Sequence, residues 1–198
     1  MDTETSRVKI LAALAKNKPA QVSLPSLEMA GEAVGMLEKF SAVALSIGSR
    51  VFQIKEYQEV INIIAKEFGT AKRIVCNVEE LTTLNEGDEI CPEFDAHSLA
   101  NVELAILEGQ LAVAEDSAVW VSERNMMHRV LPFICQHLAL VIREKDIVPN
   151  LHHAYEKIDS TSEGYGVFIA GPSKTADIEQ TLAYGVHGPR ELVVLILE

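Results

Sequence analysis

Apolar positions change their spacing repeatedly along this chain, and each change predicts an element. Val8, Leu11, Ala12 and Ala15 recur at helical spacing and predict a helix over Thr5–Lys16. Asn17 to Pro25 is a polar connector, and Leu27–Phe40 repeats the helical pattern with Gly31 and Gly35 inside it. Ser41–Ile47, a run of small and apolar residues ending at Gly48, predicts a buried strand. Lys55–Phe68 places Tyr57, Val60, Ile61 and Ile64 on one helical face and stops at Gly69. Arg73–Asn77 then reads as a β-branched strand. Strand–helix–strand order is the unit from which parallel sheets are built.

Thr82–Asp95 is irregular and polar, and the alternation resumes after it. Ala100–Leu107 predicts a helix, and Gln110–Ala114 and Ser117–Val121 a hairpin-like strand pair around Glu115-Asp116. Leu138–Arg143 reads as a buried strand, Asn150–Ile158 as a helix and Gly166–Ala170 as a strand. Thr175–Tyr184 predicts a helix stopped at Gly185, and Leu192–Leu197 a strand apolar enough for the inside of a sheet. The pattern is that of an α/β protein with a three-layer Rossmann-like sheet. It forms a single domain over residues 1–198, with residues 1–40 as a helical N-terminal region.

Composition narrows the function classes. The 198 residues are 48% hydrophobic and 23% charged, so a folded core is expected. A net charge of −12 and the lack of any long Lys/Arg run argue against a nucleic-acid partner. Met1–Arg7 lacks a signal-peptide pattern, and Ile10–Ala15 and Leu192–Leu197 fall short of the roughly 20 residues that span a bilayer. A cytoplasmic protein without a membrane partner is expected. Cys76, Cys91 and Cys135 are scattered and no CxxC occurs, which speaks against a zinc ribbon or a cysteine-held iron–sulfur cluster. No metal site is expected: His152 and His153 do not share a helical face, and His128 and His137 lack ligand spacing.

Three segments carry candidate chemistry. Gly171-Pro172-Ser173-Lys174-Thr175-Ala176-Asp177 joins a predicted strand to a predicted helix. Such a loop aims backbone N–H groups and the positive helix end at one point, where an anion fits. It matches neither a P-loop nor GxGxxG, and a capped helix with no ligand explains it equally well. In Gly185-Val186-His187-Gly188-Pro189, His187 is suited to proton transfer near neutral pH, or is simply a turn histidine. In Ala114-Glu115-Asp116-Ser117-Ala118, strand alternation lets one carboxylate face a site. Glu115 is the choice, against a solvated turn. A triad of Ser173, His187 and Asp177 can be written, but GxSxG is missing.

Taken together, GPSKTADIE followed by GVHGP and an apolar final strand resembles the C-terminal signature of the LUD-domain family, the lactate-utilisation proteins. AEDSAVWVSE and LPFICQHLALVIREKDIVP strengthen the likeness, which covers Ala100 to Glu198 well and the N-terminal half in outline. The resemblance is to the small C-type members. It implies a fold similar to the sugar-phosphate isomerase and CoA-transferase superfamily. It also implies a part in oxidising L-lactate to pyruvate beside iron–sulfur subunits, with the clusters in those partners and no cofactor held by this chain alone. A homo-oligomer is compatible with it.

The matching positions are Glu115, Gly171, Ser173, Thr175, Asp177, His187 and Gly188. Glu115 and His187 are assigned to proton transfer. Gly171, Ser173, Lys174, Thr175, Asp177, Gly188 and Arg129 are assigned to binding a small anionic metabolite. The chain departs from the family at Asp116-Ser117-Ala118 and at Asn125–Arg129. These departures leave room for a non-catalytic assembly or metabolite-sensing subunit, or for a stand-alone enzyme on a phosphorylated or CoA-linked substrate.

Overall fold

A computed structural model describes residues 3–20, 22–23, 35–85, 95–159, 164–175 and 183–198. The chain divides into two units, Met1–Ala30 and Gly31–Glu198. The first contains α1 (Thr3–Lys16), which ends on a lysine that complements the helix dipole. The second contains two sheets. Strands β1 (Arg50–Ile54), β2 (Ile74–Asn77), β3 (Leu104–Glu108), β6 (His137–Arg143) and β9 (Glu191–Leu197) form a sheet in the order β1-β9-β6-β3-β2. Every pairing in it is parallel. Strands β4 (Leu111–Val113), β5 (Val119–Ser122), β7 (Ile147–Val148) and β8 (Gly166–Ile169) form the second, ordered β7-β4-β5-β8.

Strand periodicity explains how the layers stack. In β3, Ala105 and Leu107 face one core while Leu104 and Ile106 face the other. β6 divides Leu138, Leu140 and Ile142 from Ala139 and Val141 in the same way, and β9 divides Leu192, Val194 and Ile196 from Val193 and Leu195. One core closes against α3 (Tyr57–Phe68) through Val60, Ile64 and Phe68. The other closes against the second sheet through Ala112, Val119 and Val121, with Phe40 and Ala44 of α2 (Met36–Ser46) and Leu131 of α4 (Leu131–Ile134). Covered on both faces, the parallel strands read as continuous apolar runs. The outer face of the second sheet carries a smaller core under α5 (Leu151–Lys157), whose Asn150 cap accepts the His153 N–H.

The α/β class, the parallel sheet and the 110–122 hairpin agree with the sequence reading. Two segments differ. Ser41–Ile47 is not a strand but the continuation of α2, because Phe40 and Ala44 are buried one helical turn apart. The first strand instead follows Gly48, at Arg50–Ile54. Ala100–Leu107 is not a helix: β3 starts at Leu104, buried on both faces and so without a helical stripe. The helix expected over Leu27–Phe40 is described only from Met36, with residues 24–34 outside the described set. The one expected over Thr175–Tyr184 falls mostly on 176–182, also outside it. Lys174, just before it, and Tyr184, its last residue, pair as an antiparallel bridge. No helix among the described residues is long and apolar enough to cross a membrane.

Gly109 makes the link between the sheets. A Cβ there would lie 2.4 Å from Val119 Cγ1 and 2.7 Å from Ile142 Cγ2, both core side chains. Gly109→Ala is therefore expected to destabilise the fold by about 1–3 kcal/mol. Urea unfolding should show a lower midpoint at an unchanged slope.

Candidate functional site

The candidate residues fall into two groups. The first is built where residues 171–175 meet residues 185–190. Gly171 takes φ 73°, which a side chain would strain, and a Cβ there would also press on Ile47 at 3.2 Å. The two segments then knit together. Ser173 N–H donates to Pro189 O at 2.9 Å, Gly185 N–H to Ser173 O at 3.1 Å and Thr175 N–H to Ala183 O at 3.2 Å. The His187 N–H donates to Ser173 Oγ at 3.3 Å, and Gly188 lets the loop approach, since a Cβ there would sit 3.3 Å from Ser173 Cβ. Lys174 Nζ donates to Ile47 O at the end of α2. The Ser173 and Thr175 N–H groups and the Lys174 ammonium, donors that the sequence offered to an anion, are thus engaged within the protein. The His187 side chain is exposed, and Asp177 lies outside the described residues.

Glu115 stands exposed in the β4–β5 turn, which Asp116 closes by accepting the Ala118 N–H at 3.0 Å. Ser117 holds φ 57° there with its hydroxyl buried. Register fixes where this turn lies. Val119 pairs with Ile169 and Ser122 with Gly166, so the Glu115 turn and Gly171 share one end of the second sheet. That end adjoins the amino ends of β1 and β9: Gly171 packs on Ile47, and Arg190 N–H donates to Gln136 O just before β6.

Arg129 belongs to the opposite end. The segment after β5 is pinned over the carboxyl ends of the parallel strands. Asn125 Nδ2 donates to Glu108 O of β3 at 3.1 Å, and Asn77 Nδ2 of β2 donates to Arg124 O at 3.5 Å. Arg129 Nε donates to Glu123 Oε1 at 2.8 Å and Nη2 to Oε2 at 2.9 Å, a forked contact. Its guanidinium lies 5.2 Å from the Tyr165 ring centre. Glu123, Met127, His128 and Arg129 line a cavity of about 320 Å³. Glu115, Gly171–Thr175, His187 and Gly188 therefore do not share a site with Arg129. Carboxyl ends are where open α/β sheets bind ligands. Glu123 and Tyr165 were not selected from sequence: no local spacing links them to Arg129, and only the loop closing after β5 brings them there.

Metal and thiol chemistry can be judged from the same geometry. No three His, Cys, Asp or Glu side chains among the described residues come together to hold a metal ion. Cys76 and Cys135 are free thiols in different cores, on opposite faces of the parallel sheet. Burial pushes Cys76 up to about 11 and Cys135 up to about 12.

This arrangement, a two-faced parallel sheet backed by a small mixed sheet, defines the chain as an α/β protein with a polar loop over its strand ends. The LUD-domain family model matches residues 37–197, and the chain belongs to that family. It is 32% identical over 109 residues to "Lactate utilization protein C" of Geobacillus thermodenitrificans, covering 52% of this chain and 45% of that protein. The chain thus spans about half the length of such curated relatives. Against "Lactate utilization protein C" of Deinococcus radiodurans it is 29% identical over 171 residues, 82% of this chain and 79% of that protein. Its fold is similar to the crystal structure of a DUF162 family protein from the same organism. The TM-score is 0.64 at 19% identity, covering 82% of this chain and 96% of that one.

Ser173→Ala removes the acceptor of the His187 N–H and is expected to cost about 1 kcal/mol, read from the thermal or urea midpoint. Cys76 and Cys135 stay protonated up to about pH 11 and 12, so neither forms thiolate at pH 8. A thiol reagent should leave both unmodified in the native protein and label both after unfolding, as peptide mass mapping would show.

Proposed function

We propose that the chain is a lactate-utilisation component that holds a small anionic metabolite while iron–sulfur partner subunits accept the electrons. Oxidising L-lactate to pyruvate releases two electrons and two protons, which Cys76 and Cys135, the two thiols among the described residues, are poorly placed to carry onward, being separated and protonated. The clusters are assigned to the partners. One observation carries the reading beyond the family match. The Asn125–Arg129 loop is tied across the carboxyl ends of β2 and β3 and sets an arginine there. The names of the relatives supply the metabolite.

A second reading is a non-catalytic assembly or metabolite-sensing subunit. It is favoured by the internal pairing of Ser173, Lys174 and Thr175, which leaves the Gly171–Thr175 loop as a built surface rather than an anion cradle. Deleting the gene in its host and testing growth on L-lactate decides whether the chain is needed. Growth on L-lactate is expected to fail and growth on pyruvate to persist. Normal growth on L-lactate overturns the proposal. Complementation locates the anion: rescue by His187→Ala and failure by Arg129→Lys is expected, and the reverse pattern would return it to the His187 end. Purification of the Arg129→Lys chain with its iron–sulfur partners still attached would separate assembly from ligand handling.

A further inference from the structure

The Glu123–Arg129 cavity carries more chemical information than a bare positive charge. The pair is half exposed, with the Arg129 side chain 58% and the Glu123 side chain 39% accessible, so it adds little to stability. What it does is orient. Glu123 grips one edge of the guanidinium and the Tyr165 ring supports its face, leaving the remaining N–H groups of Arg129 in a fixed fork. His128 is fixed as well. Its Nδ1 accepts the Val130 N–H at 3.1 Å, so the ring proton sits on Nε2 as a second donor. Met127 holds φ 58°, an uncommon backbone state for an unbranched side chain, in the turn that brings His128 and Arg129 to the cavity wall. Among the described residues, the charged lining is thus one cation and one anion side by side, and the volume, about 320 Å³, suits a small metabolite.

We propose that this cavity binds a small monocarboxylate carrying a hydrogen-bond donor on the carbon next to the carboxylate. The free edge of Arg129 and the His128 Nε2–H take the carboxylate. Glu123, whose oxygens retain lone pairs beyond those used by Arg129, accepts from the donor. A dianion such as phosphate meets the Glu123 carboxylate beside the arginine and is repelled, so the pair selects for charge as well as shape. A plain carboxylate leaves that Glu123 acceptor without its partner. The choice of L-lactate as first probe rests on the function proposed above; the site chemistry does not.

Isothermal titration of the full chain with L-lactate, L-alanine, propionate and inorganic phosphate tests the assignment. L-lactate is expected to bind about tenfold or more tighter than propionate, with no saturable binding of phosphate. Glu123→Gln should abolish the lactate–propionate difference, and Arg129→Lys should weaken L-lactate about tenfold or more. Melting curves check that the variants fold, and the four-ligand comparison on the unmodified chain decides the matter if they do not. Phosphate binding as tight as L-lactate, equal affinity for L-lactate and propionate, or no binding of any monocarboxylate overturns the proposal. Binding of L-alanine but not L-lactate supports the cavity chemistry and overturns the lactate reading. Loss of growth on L-lactate with no binding at this cavity does the reverse.

Discussion

The structure depends on one constraint: a parallel sheet buried on both faces must find a cover for each. Alternation along β3, β6 and β9 sends successive side chains to opposite cores, so neither face tolerates water. One amphipathic helix, α3, covers the first face. The second is covered by another sheet, which in turn needs α5 on its outside. The short links 109–110 and 144–146 that carry the chain from one sheet to the other follow from this stacking, as does the close approach at Gly109. So does the placement of polar residues, since only strand ends and turns remain for them.

That constraint explains what could be read from sequence. Helix α3 shows a clean apolar stripe, and β6 and β9 are long apolar runs, so all three are legible. The hairpin around Glu115-Asp116 is equally clear because turn residues separate two short strands. The misread segments lack a period. Ser41–Ile47 is made of small and apolar residues that suit a strand, yet Phe40 and Ala44 pack as helix neighbours. Leu104–Leu107 is buried on both sides and shows no alternation for the eye to find. Short apolar runs of this kind are decided by tertiary packing, not by propensity.

The candidate site shows a different limit. The GPSKTADIE and GVHGP segments were legible as partners, and the bonds between Ser173 and residues 185–189 join them. Sequence order could not say that this pair and Arg129 occupy opposite ends of the β5–β8 ladder. Nor could it say that the loop's donors are used internally, which depends on the acceptors Pro189 O, Ala183 O and Ile47 O arriving from elsewhere. The net charge of −12 takes on a local meaning at Arg129. In an acidic protein an arginine held by one carboxylate offers a directed fork without a broad positive surface.

The strand order also shapes how the protein is made. Among the described strands β1 hydrogen-bonds to β9 alone, and β9 lies far along the chain, between β1 and β6 in the sheet. During synthesis β1 emerges before any strand it pairs with, and β2, β3 and β6 can zip together long before β1 finds its partner. The sheet closes only when β9 slides in between β1 and β6. Such distant pairing makes folding slow and leaves the Arg50–Ile54 edge open to chaperones or to other chains in the meantime.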